Sequence, residues 1–250
     1  MRGGSAHEGL CVRSAALCRN LDHLKEGKEL PWPLPKRHFR PEVAARTYEE
    51  HLEAWALMDE IGFDGVGFNE HHTSPYGLMT SPNIMAAAAA QRTRRLKLLI
   101  YGNLLPIHNP LRLAEELAML DCISGGRIIS GFARGIPREY LAYNQQQGYL
   151  SSNPHDYVRP EHRAALSGAR SRFRDMTIAD LERNDRLPWG RPEDVRDTLI
   201  AEAEGLGANT VLLNFNRGAM PHAMFMEQLR RFGAEVLPTL QAHQVTKVPV

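Results

Sequence analysis

The chain has 250 residues, enough for one large domain or two small ones, with 43% hydrophobic and 24% charged residues, an ordinary globular composition. Lys and Arg number 30 against 29 acidic residues, a net charge of +1, so there is no general electrostatic reason to expect nucleic acid or an anionic membrane as a partner. Cys11, Cys18 and Cys122 show no CxxC spacing, which argues against a disulfide framework or a zinc site and for reduced thiols. No apolar run approaches the roughly 20 residues a transmembrane helix needs. Arg13 and Arg19 interrupt any signal-peptide core, so the expected location is the cytoplasm.

A recurring unit organises the rest: a capped helix, a break, then an apolar strand ending in polar residues. In the first unit, Tyr48, Leu52, Trp55, Met58 and Ile61 recur at helical spacing after Pro41, Gly62 stops the helix, and Phe63–Phe68 reads as strand. The second opens at Ser81–Pro82, a cap followed by Pro at the first helical position, and leads to a strand over Leu96–Tyr101. Arg92, Arg94, Arg95 and Lys97 read as a solvated helix end. The third opens at Asn109–Pro110, carries Leu113, Leu117 and Leu120 on one face, and passes Ser124–Gly125–Gly126 into a strand over Arg127–Phe132. Downstream, Pro192–Glu204 reads as helix closed by Gly205 and Gly207, Thr210–Phe215 as strand, and Pro221 to about Leu240 as one last helix.

Alternating strands and helices imply parallel strands joined by right-handed crossovers. The expected fold class is α/β, a TIM-type (β/α) barrel that is incomplete or has fewer than eight strands. Residues 1–40 form a poorly defined N-terminal segment without a convincing strand, and 41–144 the first part of the barrel. Residues 145–190 form an irregular connection, 191–241 the last βα units, and 242–250 a tail.

In such a barrel the chemistry sits at the C-terminal ends of the strands. Those ends read Asn69–Glu70–His71–His72, Gly102–Asn103, Ala133–Arg134–Gly135 and Asn214–Asn216–Arg217. Alternation sends His71 to one side and Glu70 with His72 to the other. His71 is a candidate proton donor or acceptor, or a residue that merely caps its strand. Arg134 is a candidate anion clamp or a surface ion pair. Asn103 and Asn214 are candidate readers of a heterocycle edge or loop caps. Glu70 and His72 could together hold a divalent ion, the basis for a metal-dependent hydrolase as an alternative. No metal site is expected, because no His-x-His pair and no late strand-end Asp completes the set.

In this order and at these spacings, residues 44–144 resemble the bacterial-luciferase-like flavin-dependent monooxygenases. The matching series runs from Glu60–Val66 through Asn69–Glu70–His71–His72, Ser81–Pro82, Ala86–Ala90 and Asn109–Glu115 to Ser124–Arg127 and Ala133–Arg134–Gly135. The tail from about Trp189 to Leu240 looks like the family's last segment. The resemblance implies reduced FMN supplied by a partner flavin reductase, dioxygen, a small organic substrate and a homodimer. It implies that His71 is catalytic, that Arg134 with Gly135 contacts the flavin phosphate, and that Glu70 and His72 belong to the cofactor site. Gly102–Asn103 falls where the family often has a non-prolyl cis peptide beneath the flavin ring. Leu99, Leu104, Leu105 and Phe132 would form an apolar wall. Some relatives use F420 and transfer hydride instead. Family members are commonly longer, and the segment after Tyr143–Asn144 is largely missing here. A non-catalytic flavin-binding protein is therefore the further alternative.

Overall fold

A computed structural model describes residues 11–14, 39–73, 78–135, 139, 143, 188–216 and 220–246, with backbone alone at 11–14, 214 and 216. The first repeating unit is α1 (Pro41–Ile61) and β2 (Gly65–Phe68), preceded by a short strand β1 (Cys11–Ser14). Pro41 starts α1 because its missing amide is one that the first turn would leave unpaired anyway. Gly62 ends it in the left-handed region at φ 97, donating its amide to the Met58 carbonyl.

The second and third units follow the same punctuation. They comprise α2 (Pro82–Arg92), β3 (Lys97–Leu104), a 3-10 turn over Leu105–Ile107, α3 (Pro110–Ser124) and β4 (Ile128–Ala133). Asn109 caps α3, its side chain accepting from the Leu111 and Arg112 amides at 3.0 and 3.1 Å. The tail forms α4 (Pro192–Leu206), β5 (Leu212–Asn216), α5 (His222–Glu235) and α6 (Leu237–Ala242).

Every observed strand pair is parallel: β2 with β3, β3 with β4, and β1 with β5. β1 also lies against β2, giving the sequence β5, β1, β2, β3, β4 across the described residues. The helices neighbour one another in the same sense, α4 beside α6, then α5, α1, α2 and α3. The core lies between them, with Trp55 edge-on to Phe68 at 4.9 Å. Phe63 stacks on Phe232 at 5.8 Å and Phe215 meets Phe232 edge-on at 4.7 Å, which joins the tail to the first unit.

Two polar staples fix the other end of the sheet from the site. Asp59 accepts from the amides of Arg94, Arg95 and Leu96 at 2.7 to 2.9 Å, and Arg127 donates to the carbonyls of Ser124, Leu96 and Ala90 and to the Thr93 hydroxyl. Burial opposes the Asp59 charge, but these amides and the charge of Arg95 hold its carboxyl below the ordinary range.

Several expectations need correction. A strand does exist in residues 1–40: Cys11–Ser14 pairs with β5, an arrangement set by a partner about two hundred positions away. β3 extends to Leu104 rather than Tyr101, crossing a register shift between Ile100 and Asn103. Gly205 lies within α4, and Gly207 at φ 61 is the residue that closes it. The last helix is two helices, because Val236 leaves helical geometry and Pro238 lacks the amide that would continue the ladder. The expected connection over 145–190 falls, up to residue 187, outside the described residues.

Candidate active site

β2 ends at Phe68, and the next four residues deliver the chemistry. Glu70 is completely buried and collects donors from three directions. Its Oε1 lies 2.7 Å from His72 Nε2 and 2.8 Å from His108 Nε2, and its Oε2 accepts the Leu104 amide at 2.8 Å. Burial pushes this carboxyl up, but the bonds from His72, Leu104 and His108 together outweigh it and hold the group below the ordinary carboxylate range. Glu70 thereby ties the end of β2 to the end of β3 and to the turn before α3.

A second buried carboxylate serves the neighbouring histidine. Oε1 of Glu139 lies 3.3 Å from His71 Nδ1 and accepts the His72 backbone amide at 3.3 Å. One turn on, the Tyr143 hydroxyl lies 2.7 Å from His72 Nδ1, with the two rings edge-on at 4.8 Å. Burial and then the charges of Glu70 and Glu139 raise the Tyr143 phenol, which keeps its proton at neutral pH. The expected alternation holds: Glu70 and His72 bond each other, while His71 keeps 27% of its side chain exposed.

Across the sheet, Asn103 is completely buried near the end of β3, and neither its Nδ2 nor its Oδ1 has a hydrogen-bond partner. Native interiors seldom leave such a group unpaired, and each one calls for an explanation. The expected loop cap is thus not what Asn103 does. The non-prolyl cis bond is present, but at Tyr101–Gly102, one peptide before the position expected. A side chain at Gly102 would place its Cβ 2.7 Å from the Phe132 carbonyl carbon, so only glycine lets β4 approach here.

Arg134 and Gly135 follow β4 directly, with Arg134 exposed and Gly135 at φ 79. The expected apolar wall is only partly enclosed: Leu104 is buried, whereas Leu105, in the turn after β3, and Phe132, in β4, are 45% and 55% exposed. Asn214 lies in β5 with its backbone alone described, and Arg217 lies outside the described residues. Among the described residues no group of three or more His, Cys, Asp or Glu is placed to hold a metal ion. A groove of about 610 Å³ lies elsewhere, between α4, β5 and α5, lined by Trp189, Leu199, Leu213, Phe215 and Phe232.

His108, Glu139 and Tyr143 were not expected from the sequence. His108 had a usable signal, a polar residue soon after a strand end and before a capped helix. Glu139 and Tyr143 are four positions apart, one helical turn, shortly after the strand-end glycine, a weaker signal.

Residues 30–144 match the family model described as luciferase-like monooxygenase. Limonene 1,2-monooxygenase of Rhodococcus erythropolis is 40% identical over 105 residues, 42% of this chain and 26% of that protein. The oxygenase component of the flavin-dependent trigonelline monooxygenase of Acinetobacter baylyi is 33% identical over 90 residues, 36% of this chain and 26% of that protein. The matches thus span about a quarter of the length of these relatives. The crystal structure of monooxygenase RslO1 from Streptomyces bottropensis superposes with a TM-score of 0.63 at 22% identity, covering 78% of this chain and 94% of that one, a likeness of fold. No helix among the described residues is long and apolar enough to cross a membrane. Over residues 30–144, the chain is thus similar to the luciferase-like monooxygenases.

Proposed function

We propose that the chain binds reduced FMN and, with dioxygen, oxygenates a small organic substrate, receiving its flavin from a separate reductase in the cytoplasm and working as a homodimer. The observation that carries this reading is the Asn103 amide, buried and unpartnered close to Tyr101–Gly102 and to the Glu70 cluster. An amide offers a donor and an acceptor side by side, which suits the alternating N–H and C=O edge of a flavin ring. The residues present therefore fit the group. That the similar trigonelline monooxygenase chain is an oxygenase component supports a separate reductase.

When bound, reduced flavin supplies the electrons that activate dioxygen. The chain's own part is to orient and to move protons. Asn103 would hold the ring edge, and Arg134 the phosphate by two-point contact. His71, part-exposed beside a buried carboxylate, would exchange a proton near neutral pH. Glu70 and His72 would fix the loop that carries it. The order of strands and helices supports the same reading of the fold, an arc of a TIM-type barrel.

A second reading, flavin binding without turnover, is favoured by the exposure of Phe132 and Leu105, since oxygenation needs water kept out. Titration of FMN fluorescence separates these ideas from unrelated chemistry. The full chain should quench FMN saturably, and Asn103→Ala should weaken binding by about tenfold, roughly 1.4 kcal/mol. No saturable quenching by the parent removes the flavin reading, and an unchanged titration in the variant removes Asn103 from it.

A further inference from the structure

His71 and His72 are adjacent, yet each is held by a different buried carboxylate through a different ring nitrogen. Glu139 addresses His71 at Nδ1 and Glu70 addresses His72 at Nε2. We propose that Glu139 is the positioning residue for His71, locking it as the Nδ1–H tautomer with its basic lone pair on Nε2, while Glu70 and Tyr143 lock His72 in the opposite, Nε2–H form.

The argument is one of donors and acceptors. Oε1 of Glu139 already accepts the His72 backbone amide, so it faces His71 as an acceptor, and the atom facing it, Nδ1, carries the proton. In a neutral imidazole that leaves the lone pair on Nε2. For His72 the assignment reverses. Glu70 is held in its ionised form, so Nε2 donates to it, and Nδ1 is left to accept from the Tyr143 hydroxyl. Tyr143 and Glu139 are themselves linked, the Tyr143 amide donating to the Glu139 carbonyl at 3.3 Å, so one turn of chain sets both rings.

The surroundings hold Glu139 in place. Its side chain is 2% exposed, which makes rearrangement toward solvent costly. Gly135 gives it room: a Cβ there would sit 3.2 Å from Glu139 Oε2 and 3.0 Å from a Leu104 methyl, at a φ of 79 that other residues rarely adopt. The glycine after Arg134 thus has a role in seating Glu139 that is independent of any phosphate.

The use of His71 in proton exchange rests on the functional reading above, but its tautomer does not. The test is nitrogen NMR of the full chain labelled with 15N-histidine, at a pH where the rings are neutral. Signals are assigned by their loss in His71→Gln and His72→Gln. His71 should show Nδ1–H and His72 Nε2–H. Glu139→Leu, which removes the acceptor at Nδ1, should release His71 from the Nδ1–H form and leave the His72 ring as Nε2–H, whereas Tyr143→Phe should disturb only His72. Finding Nε2–H at His71 in the parent, or no change at His71 in Glu139→Leu, overturns the proposal. Should Glu139→Leu not fold, the parent assignment alone decides. If oxygen uptake with reduced FMN is also followed, Glu139→Leu should lower kcat about tenfold or more with little change in KM. A parent with the stated tautomers but no oxygen uptake sinks the oxygenase reading and leaves the positioning role intact.

Discussion

Glu70 receives the His108 ring at 2.8 Å across 38 positions of sequence, joining the end of β2 to the turn that follows β3. The same oxygen serves His72, so one buried carboxylate decides whether the loop bearing His71 is in place.

Replacing Glu70 with Ala would leave the His72 and His108 rings and the Leu104 amide without their acceptor. The expected loss is about 3–5 kcal/mol of unfolding free energy in urea, the usual scale for removing one partner of a buried charged set. A loss below roughly 1 kcal/mol would show that this network is dispensable. The sign of the pH effect follows from its lowered folded value. Its stabilisation is present above the ordinary value of 4.5 and disappears as pH falls through the folded one.

His51 sets a different pH window. Burial chiefly, and then the charge of His222, lower it from 6.5 to about 4, only partly offset by its bond to the Thr47 backbone. The unfolded chain therefore binds a proton between those values that the folded chain refuses. Stability should be full above pH 6.5 and fall toward pH 4, by about 1.4 kcal/mol per unit from this group. His51→Phe should flatten that slope in denaturation series at stepped pH. An identical slope in parent and variant would contradict the assignment.

Gly102→Ala and Gly205→Ala should move stability in opposite directions. At Gly102 the new methyl meets the Phe132 backbone at 2.7 Å, and overpacking of this kind costs about 1–3 kcal/mol. At Gly205, inside α4, nothing lies within 4 Å, and replacing a helical glycine by alanine should gain about 0.5–1 kcal/mol. Thermal melts of the pair check both. Equal shifts would mean that the close approach of β3 and β4 is not a constraint.

The helices before β2, β3 and β4 were legible because their ends are local chemistry. Pro41, Pro82 and Pro110 start them, and Gly62 and Gly125 stop two of them in the left-handed region. β1 was not legible: four residues containing an arginine carry no strand signal, and it is β5 that makes them a strand. The break between α5 and α6 was signalled by Pro238 but was masked by the apolar spacing of Leu229, Phe232, Val236 and Leu237. At the site, the strand-end rule found Glu70, His71, His72 and Asn103. It missed His108, Glu139 and Tyr143, whose local signals say nothing of their partners, because what brings them to the histidines is the path of the chain in space.

Arg134→Ala should distinguish a phosphate contact from a ring contact. If Arg134 holds the phosphate, the variant should lose about tenfold or more in FMN affinity, roughly 1.4 kcal/mol, while riboflavin affinity stays within twofold. Equal losses for both ligands would remove the phosphate role.

The most direct test of the account is oxygen uptake by the full chain with reduced FMN, set beside His71→Ala. The account predicts uptake whose time course differs from free-flavin autoxidation in the parent, and at least a hundredfold slower productive step in the variant, the scale expected when a positioned proton-transfer group is removed. Identical, merely autoxidative rates in both would contradict it.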